Sequence, residues 1–132
     1  MSTDIDVTSN INLVTTAETP LAVFNFATPM ANNPVPQVAV PTRISGVIQV
    51  TTGTGATSVS IRVRQGVGTA GSTVGPTYQQ LVSASSPYVI PFRNLDPVGA
   101  LSYTVTVQQN GASGNGLTLG SCNADQNLSG MD

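Results

Sequence analysis

A chain of 132 residues, 8% of them charged and with a formal net charge of −2, is long enough for one domain around one core. It has no His, Lys or Trp, which excludes an imidazole base, a Ser–His–Asp triad and a basic surface for packaging nucleic acid. No run approaches the roughly 20 apolar residues of a membrane span, and the acidic start MSTDIDVTSN is unlike a secretory leader, so synthesis in the cytosol is expected and no membrane partner is.

The apolar period is two throughout, which predicts strands and no helix. In the first 12 residues Ile5, Val7 and Ile11 fall on one parity and Asp4 and Asp6 on the other. This is an N-terminal arm able to add an edge strand to its own sheet or, by β-augmentation, to a neighbour's. Strands are predicted over Leu13–Ala17 and Leu21–Thr28, split by Glu18-Thr19-Pro20. The stretch Pro29–Pro41 holds Pro29, Pro34, Pro36 and Pro41 and cannot continue a ladder, so it reads as a crossover between sheets. Arg43–Thr52 and Thr57–Arg64 alternate cleanly around TTGTGAT, a hairpin-like turn, and are expected to be antiparallel neighbours. In the second of these strands Val59, Ile61 and Val63 point inward, and Ser58, Ser60, Arg62 and Arg64 outward. A second long connection, Gln65–Pro76, precedes strands at Thr77–Val82, Tyr88–Phe92, Ala100–Gln109 and Leu117–Cys122. About eight short strands joined by two long connections predict an all-β, antiparallel two-sheet jelly-roll sandwich over residues 13–122, with a flexible tail over 123–132.

Candidate chemistry is sparse. Asp96, in Asn94-Leu95-Asp96-Pro97, reads as a turn residue capping its own backbone. The Asp4-x-Asp6 pair lacks the further oxygens that a calcium ion wants, and GTG, GVGTAG and NGASGNG lead into no helix that could complete a phosphate loop. No catalytic residue, cofactor or metal is expected, and an enzyme would need carboxylates shared between subunits. Cys122, the sole cysteine, reads as a small buried residue, with an interchain bridge as the alternative. A surface so poor in charge is instead expected to be covered by partners. The candidate assembly residues are Ile5, Val7 and Ile11 of the arm, Arg62 and Arg64, and Tyr103. The arginine pair reads equally as a solvated guard against aggregation, and Tyr78, Tyr88 and Tyr103 as core or interface.

The segment RISGVIQVTTGTGATSVSIRVRQGVGTAGSTVG resembles the central hairpin of small phage and viral jelly-roll structural domains, and ALSYTVTVQQNGASGNGLTL resembles their last two strands. These domains are related in shape to the tumour-necrosis-factor and C1q trimers, and the resemblance spans Leu13 to Gly120. It implies a homotrimer at the surface of a virion, partnered by itself and by the major capsid protein, as a decoration, cement or fibre-head module. The lack of a stalk ahead of the domain favours a stand-alone decorating protein of a bacteriophage capsid. The alternatives are a receptor- or glycan-binding fibre head, which would gather Asn110, Asn115 and Tyr88 at one end, and a small coat protein.

Overall fold

The computed structural model describes residues 2–13, 17–26, 41–52, 58–81, 88–110 and 116–127. These form eight strands: β1 (Ser2–Leu13), β2 (Thr19–Asn25), β3 (Thr42–Thr52), β4 (Ser58–Gln65), β5 (Tyr78–Leu81), β6 (Tyr88–Asp96), β7 (Ser102–Asn110) and β8 (Gly116–Asn127). They build two four-stranded sheets with the orders β1-β8-β3-β6 and β2-β7-β4-β5. The pairs β1–β8, β2–β7, β3–β6 and β4–β5 are all antiparallel and nested first with last. The chain is thus one long hairpin doubled back at β4 and β5, whose rungs go one pair to each sheet in turn as it rolls up. This is the all-β jelly-roll sandwich that the strand count and long connections predict.

Alternation does identify the buried side chains. Ile44, Ile48 and Val50 of β3 and Ile90 and Phe92 of β6 face Phe24 of β2, Val59, Ile61 and Val63 of β4, and Tyr103, Val105 and Val107 of β7 across one core. Leu21 and Ala22 are both buried because the β2–β7 register shifts between Pro20 and Ala22, a bulge that interrupts the period of two. Gly46 and Gly120 sit where the interior leaves no room. A Cβ on Gly46 would overlap the Ser121 carbonyl oxygen, and one on Gly120 would lie 2.5 Å from Leu21 Cδ2.

Several expectations change. β3 and β4 are not neighbours: β3 lies between β8 and β6 in one sheet and β4 between β7 and β5 in the other. β3 and β4 thus stand in different sheets, where a hairpin pair was expected. β6 continues past Phe92 to Asp96, so Asn94 and Asp96 are inward strand residues, not turn residues. β8 runs to Asn127, so 123–127 is strand where a tail was expected. Of the two placements open to the arm, its own sheet or a neighbour's, it takes the first: it is β1, the edge strand of its own sheet, paired along its whole length with β8. The Pro-rich stretch 29–40, the Gly-rich turns at 53–55 and 111–115, Asn115 and residues 128–132 lie outside the described residues.

Candidate functional site

With no catalytic constellation expected, the surfaces are the place to look for function, and the sandwich has two outer faces. On the β2-β7-β4-β5 sheet, Glu18 just ahead of β2 accepts hydrogen bonds from Arg64 Nε at 2.6 Å, Arg64 Nη2 at 2.9 Å and Thr106 Oγ1 at 2.5 Å. Arg62 Nη1 stands 3.9 Å from the same carboxylate and donates to Gln108 Oε1 at 2.7 Å. Arg64 also donates to the Gly71 carbonyl, and Thr104 Oγ1 bonds both the Gly66 carbonyl and the Gly68 amide. The segment 66–71 and Glu18 therefore lie over the outside of the sheet, which buries Thr104 and Thr106 completely. The paired Arg64 guanidinium, and less strongly Thr106 and Arg62, hold the Glu18 carboxyl below the ordinary carboxylate range against the opposing effect of its burial.

The outer face of the β1-β8-β3-β6 sheet carries exposed side chains on all four strands. Its three registers align residues into rows that run across all four strands. One row places Asp4, Asp125, Arg43 and Leu95 side by side. The next holds Asp6, Asn123, Ser45 and Arg93, then come Thr8, Ser121, Val47 and Pro91, then Asn10, Leu119, Gln49 and Val89. Arg43 Nη2 pairs with Asp125 at 3.1 Å, and Asn123 donates to Asp6 at 2.8 Å. In the last two rows Val47 is 44%, Leu119 42% and Val89 63% exposed, around a shallow depression lined by Thr8, Val47, Gln49, Leu119, Gly120 and Ser121.

The residues expected at an assembly contact separate by position. Ile5, Val7 and Ile11 are half-buried and pack against the core of their own sandwich. Arg62 and Arg64 are engaged by Glu18 of the same chain. Tyr103 is fully buried and takes no part in any surface, because its ring fills the core and its hydroxyl donates to Asp96 Oδ2 at 2.9 Å. Asp96 does cap the backbone, accepting from the Val98 amide at 3.2 Å, and it also accepts from Gln65 Nε2 at 2.8 Å, a link between the sheets that the turn signature hid. Cys122 is buried, and burial pushes its thiol up to about 12. Among the described residues no three His, Cys, Asp or Glu side chains converge as metal ligands would.

No family model matches the sequence, and no curated protein does. Among solved structures the chain is similar to the VP2 subviral particle of infectious bursal disease virus, at 13% identity and a TM-score of 0.62 over 98% of this chain and 34% of that one. The Gx strain of the same virus gives 12% identity and a TM-score of 0.61 over 95% of this chain and 32% of that one. The subunit of the disulfide-linked pili of Bacillus endospore appendages gives 19% identity and a TM-score of 0.50 over 97% of this chain and 91% of that one. The chain spans about a third of the length of the viral chains it matches. At these identities the likeness is one of fold: an eight-stranded, two-sheet antiparallel sandwich of the kind found in viral capsid proteins.

Proposed function

We propose that this chain is a non-enzymatic structural protein of a virion, which decorates or cements the outside of a capsid as a homo-oligomer, with the trimer as its expected form. One observation carries the reading: nearly every described charge is spent inside the molecule. Glu18 engages Arg62 and Arg64, Arg43 engages Asp125, and Asp96 is buried beneath Tyr103 and Gln65. Among the described side chains this leaves Asp6 and Arg93 as the exposed charges outside those pairs. A lone domain of this size keeps itself apart from its copies with interspersed surface charges, and a subunit whose outside is to be covered does not need them. The fold shared with viral capsid proteins is consistent with such a part. A cement protein stabilises a shell by mass action, binding only the assembled state.

Co-sedimentation of the purified protein with assembled capsid shells tests the proposal. Saturable binding that raises the shell's melting temperature is expected, and a protein that stays in the supernatant at every concentration would overturn it. A second reading, a subunit of a self-assembling filament, is favoured by the near-complete match in length to the endospore appendage chain. Buried Cys122, the sole cysteine, offers no disulfide link, so such a filament would be held by surface contacts alone. Negative-stain microscopy of the protein by itself separates the two, since fibres formed without any shell favour the second.

A further inference from the structure

Among the described side chains, the two exposed charges outside those pairs, Asp6 and Arg93, are not scattered. They occupy the same cross-strand row at opposite edges of one sheet, Asp6 on β1 and Arg93 on β6, with only Asn123 and Ser45 between them. Three strand spacings, about 14 Å, separate them, well over the Debye length of about 8 Å at physiological salt, so they do little for each other within one chain. The neighbouring row has the same polarity, with Asp125 on β8 and Arg43 on β3. This outer face is therefore acidic towards β1 and β8 and basic towards β3 and β6 at one end, and uncharged with exposed Val47, Val89, Pro91 and Leu119 at the other.

We infer that the outer face of the β1-β8-β3-β6 sheet is a contact for a second copy of the same chain, packed face to face about a twofold axis parallel to the strands. That operation reverses the strand order and keeps each row opposite itself. Asp6 of each copy then faces Arg93 of the other, and Asp125 faces Arg43. Thr8 meets Pro91, Ser121 meets Val47, Leu119 meets Gln49 and Asn10 meets Val89, so at the uncharged end each exposed apolar side chain lies against an uncharged polar one. A twofold contact must be self-complementary, and a face whose charges change sign across its own midline satisfies that requirement. Two sheets meeting this way pack about 10 Å apart with the strands within about 30° of each other. Four strands by four rows cover roughly 19 by 27 Å, or about 1,000 Å² over both copies, which is the lower limit for a specific interface. The contact is accordingly weak for an isolated pair and gains strength where many copies are held on one scaffold. It also leaves the face carrying Glu18, Arg62 and Arg64 free for that scaffold.

The inference rests on the chain being an assembly subunit, but it is tested without shells. Sedimentation velocity over a concentration series at low salt should show reversible self-association that weakens as salt is raised. Asp6→Arg and Arg93→Asp should each weaken it by at least about tenfold, and the double exchange should restore it, because the swapped charges again face their opposites. Val47→Asp and Leu119→Asp, at exposed positions that keep the core intact, should also abolish it, with circular dichroism confirming the fold of every variant. A wild-type protein that stays monomeric to its highest attainable concentration overturns the contact, as does association indifferent to Val47→Asp and Leu119→Asp, or folded charge variants that the double exchange fails to rescue. Intact self-association without shell binding would remove the capsid reading alone, and shell binding without self-association would remove only this contact.

Discussion

Tyr103 on β7 donates its hydroxyl hydrogen to Asp96 on β6 at 2.9 Å, a bond that crosses the core from one sheet to the other. Gln65 of β4 donates to the same carboxylate oxygen, and the Val98 amide donates to the other one. Burial by itself would raise the Asp96 pKa, but the donors from Gln65, the Gly99 amide, Tyr103 and Val98 together outweigh it and hold it below its ordinary 3.8. A carboxylate whose pKa is depressed on folding contributes stability that is complete above its unfolded pKa and is lost as pH falls through the folded one. Wild-type stability should therefore decline in acid below about pH 3.8, and Asp96→Asn should show a shallower decline from a lower starting point. Urea denaturation across the acid range measures both. Tyr103→Phe, which removes one donor from the carboxylate, should cost about 1–2 kcal/mol near neutrality.

The same residue sets the alkaline limit. Burial, reinforced by the nearby Asp96 charge, pushes the Tyr103 phenol from its ordinary 10 up to about 12. A raised pKa means the contribution is whole below the unfolded value and disappears as pH climbs through the folded one, here from about 10 to about 12. An ultraviolet titration should find the Tyr103 phenol ionising late and together with unfolding, a step that Tyr103→Phe should lose.

Glu18 is the single carboxylate beneath two arginines, and its side chain is only 16% exposed. Glu18→Gln removes the charge and leaves the Arg64 guanidinium, 19% exposed, without its bidentate partner, at a cost of about 2–3 kcal/mol. Arg62→Gln should cost clearly less, because Arg62 lies at 3.9 Å and has Gln108 as a separate partner. A double-mutant cycle of Glu18 with Arg64 should give a larger coupling than one with Arg62, and equal couplings would contradict the geometry. Since the Glu18 pKa is lowered from its ordinary 4.5, the Arg64 coupling should fade as pH drops below that value.

Much of this was legible in the alternation of apolar and polar residues, which identifies the inward side chains of β3, β4 and β7. Alternation says which face a residue takes but not which strand lies beside it. That is why β3 and β4 read as a hairpin although they stand in different sheets. The same limit hid Ser58 and Ser60, which point outward and are nonetheless buried: Asn110 donates to both hydroxyls, and Gln79 to that of Ser58. Arg62 and Arg64 read as surface charges because their partner, Glu18, lies 46 residues from Arg64 in a connecting segment with no pattern of its own. The row joining Asp6 to Arg93 requires three registers at once, and no spacing along the chain encodes it.

Gly46 and Gly120 show where the two β8 interfaces are tightest. A Cβ on Gly46 would meet the Ser121 carbonyl oxygen and lie 2.9 Å from Cys122 Cα, both backbone atoms of the paired strand. A Cβ on Gly120 would meet Leu21 Cδ2, the far end of a side chain that can turn away. Gly46→Ala should therefore destabilise by about 3 kcal/mol or more by forcing the β3–β8 ladder apart, and Gly120→Ala by about 1–2 kcal/mol. Thermal melts of the two variants should fall in that order, and the reverse order would show that β8 can shift while Leu21 cannot.

Cys122 lies on the inner face of β8, 3% exposed, and its thiol is pushed up to about 12 by burial. The thiolate is the reactive form, so at neutral pH the native protein presents almost none of it and shields what little forms. A colorimetric thiol reagent should leave the folded protein unmodified for as long as the strand stays paired. Labelling should follow the global unfolding equilibrium as urea is added, its rate tracking the denatured fraction. Rapid labelling without denaturant would mean that β8 opens locally, and such opening would also release the β1 edge, whose one partner among the described strands is β8. Cys122→Ala should abolish the signal and lower stability by about 1 kcal/mol or less, since alanine differs there by one buried sulfur atom.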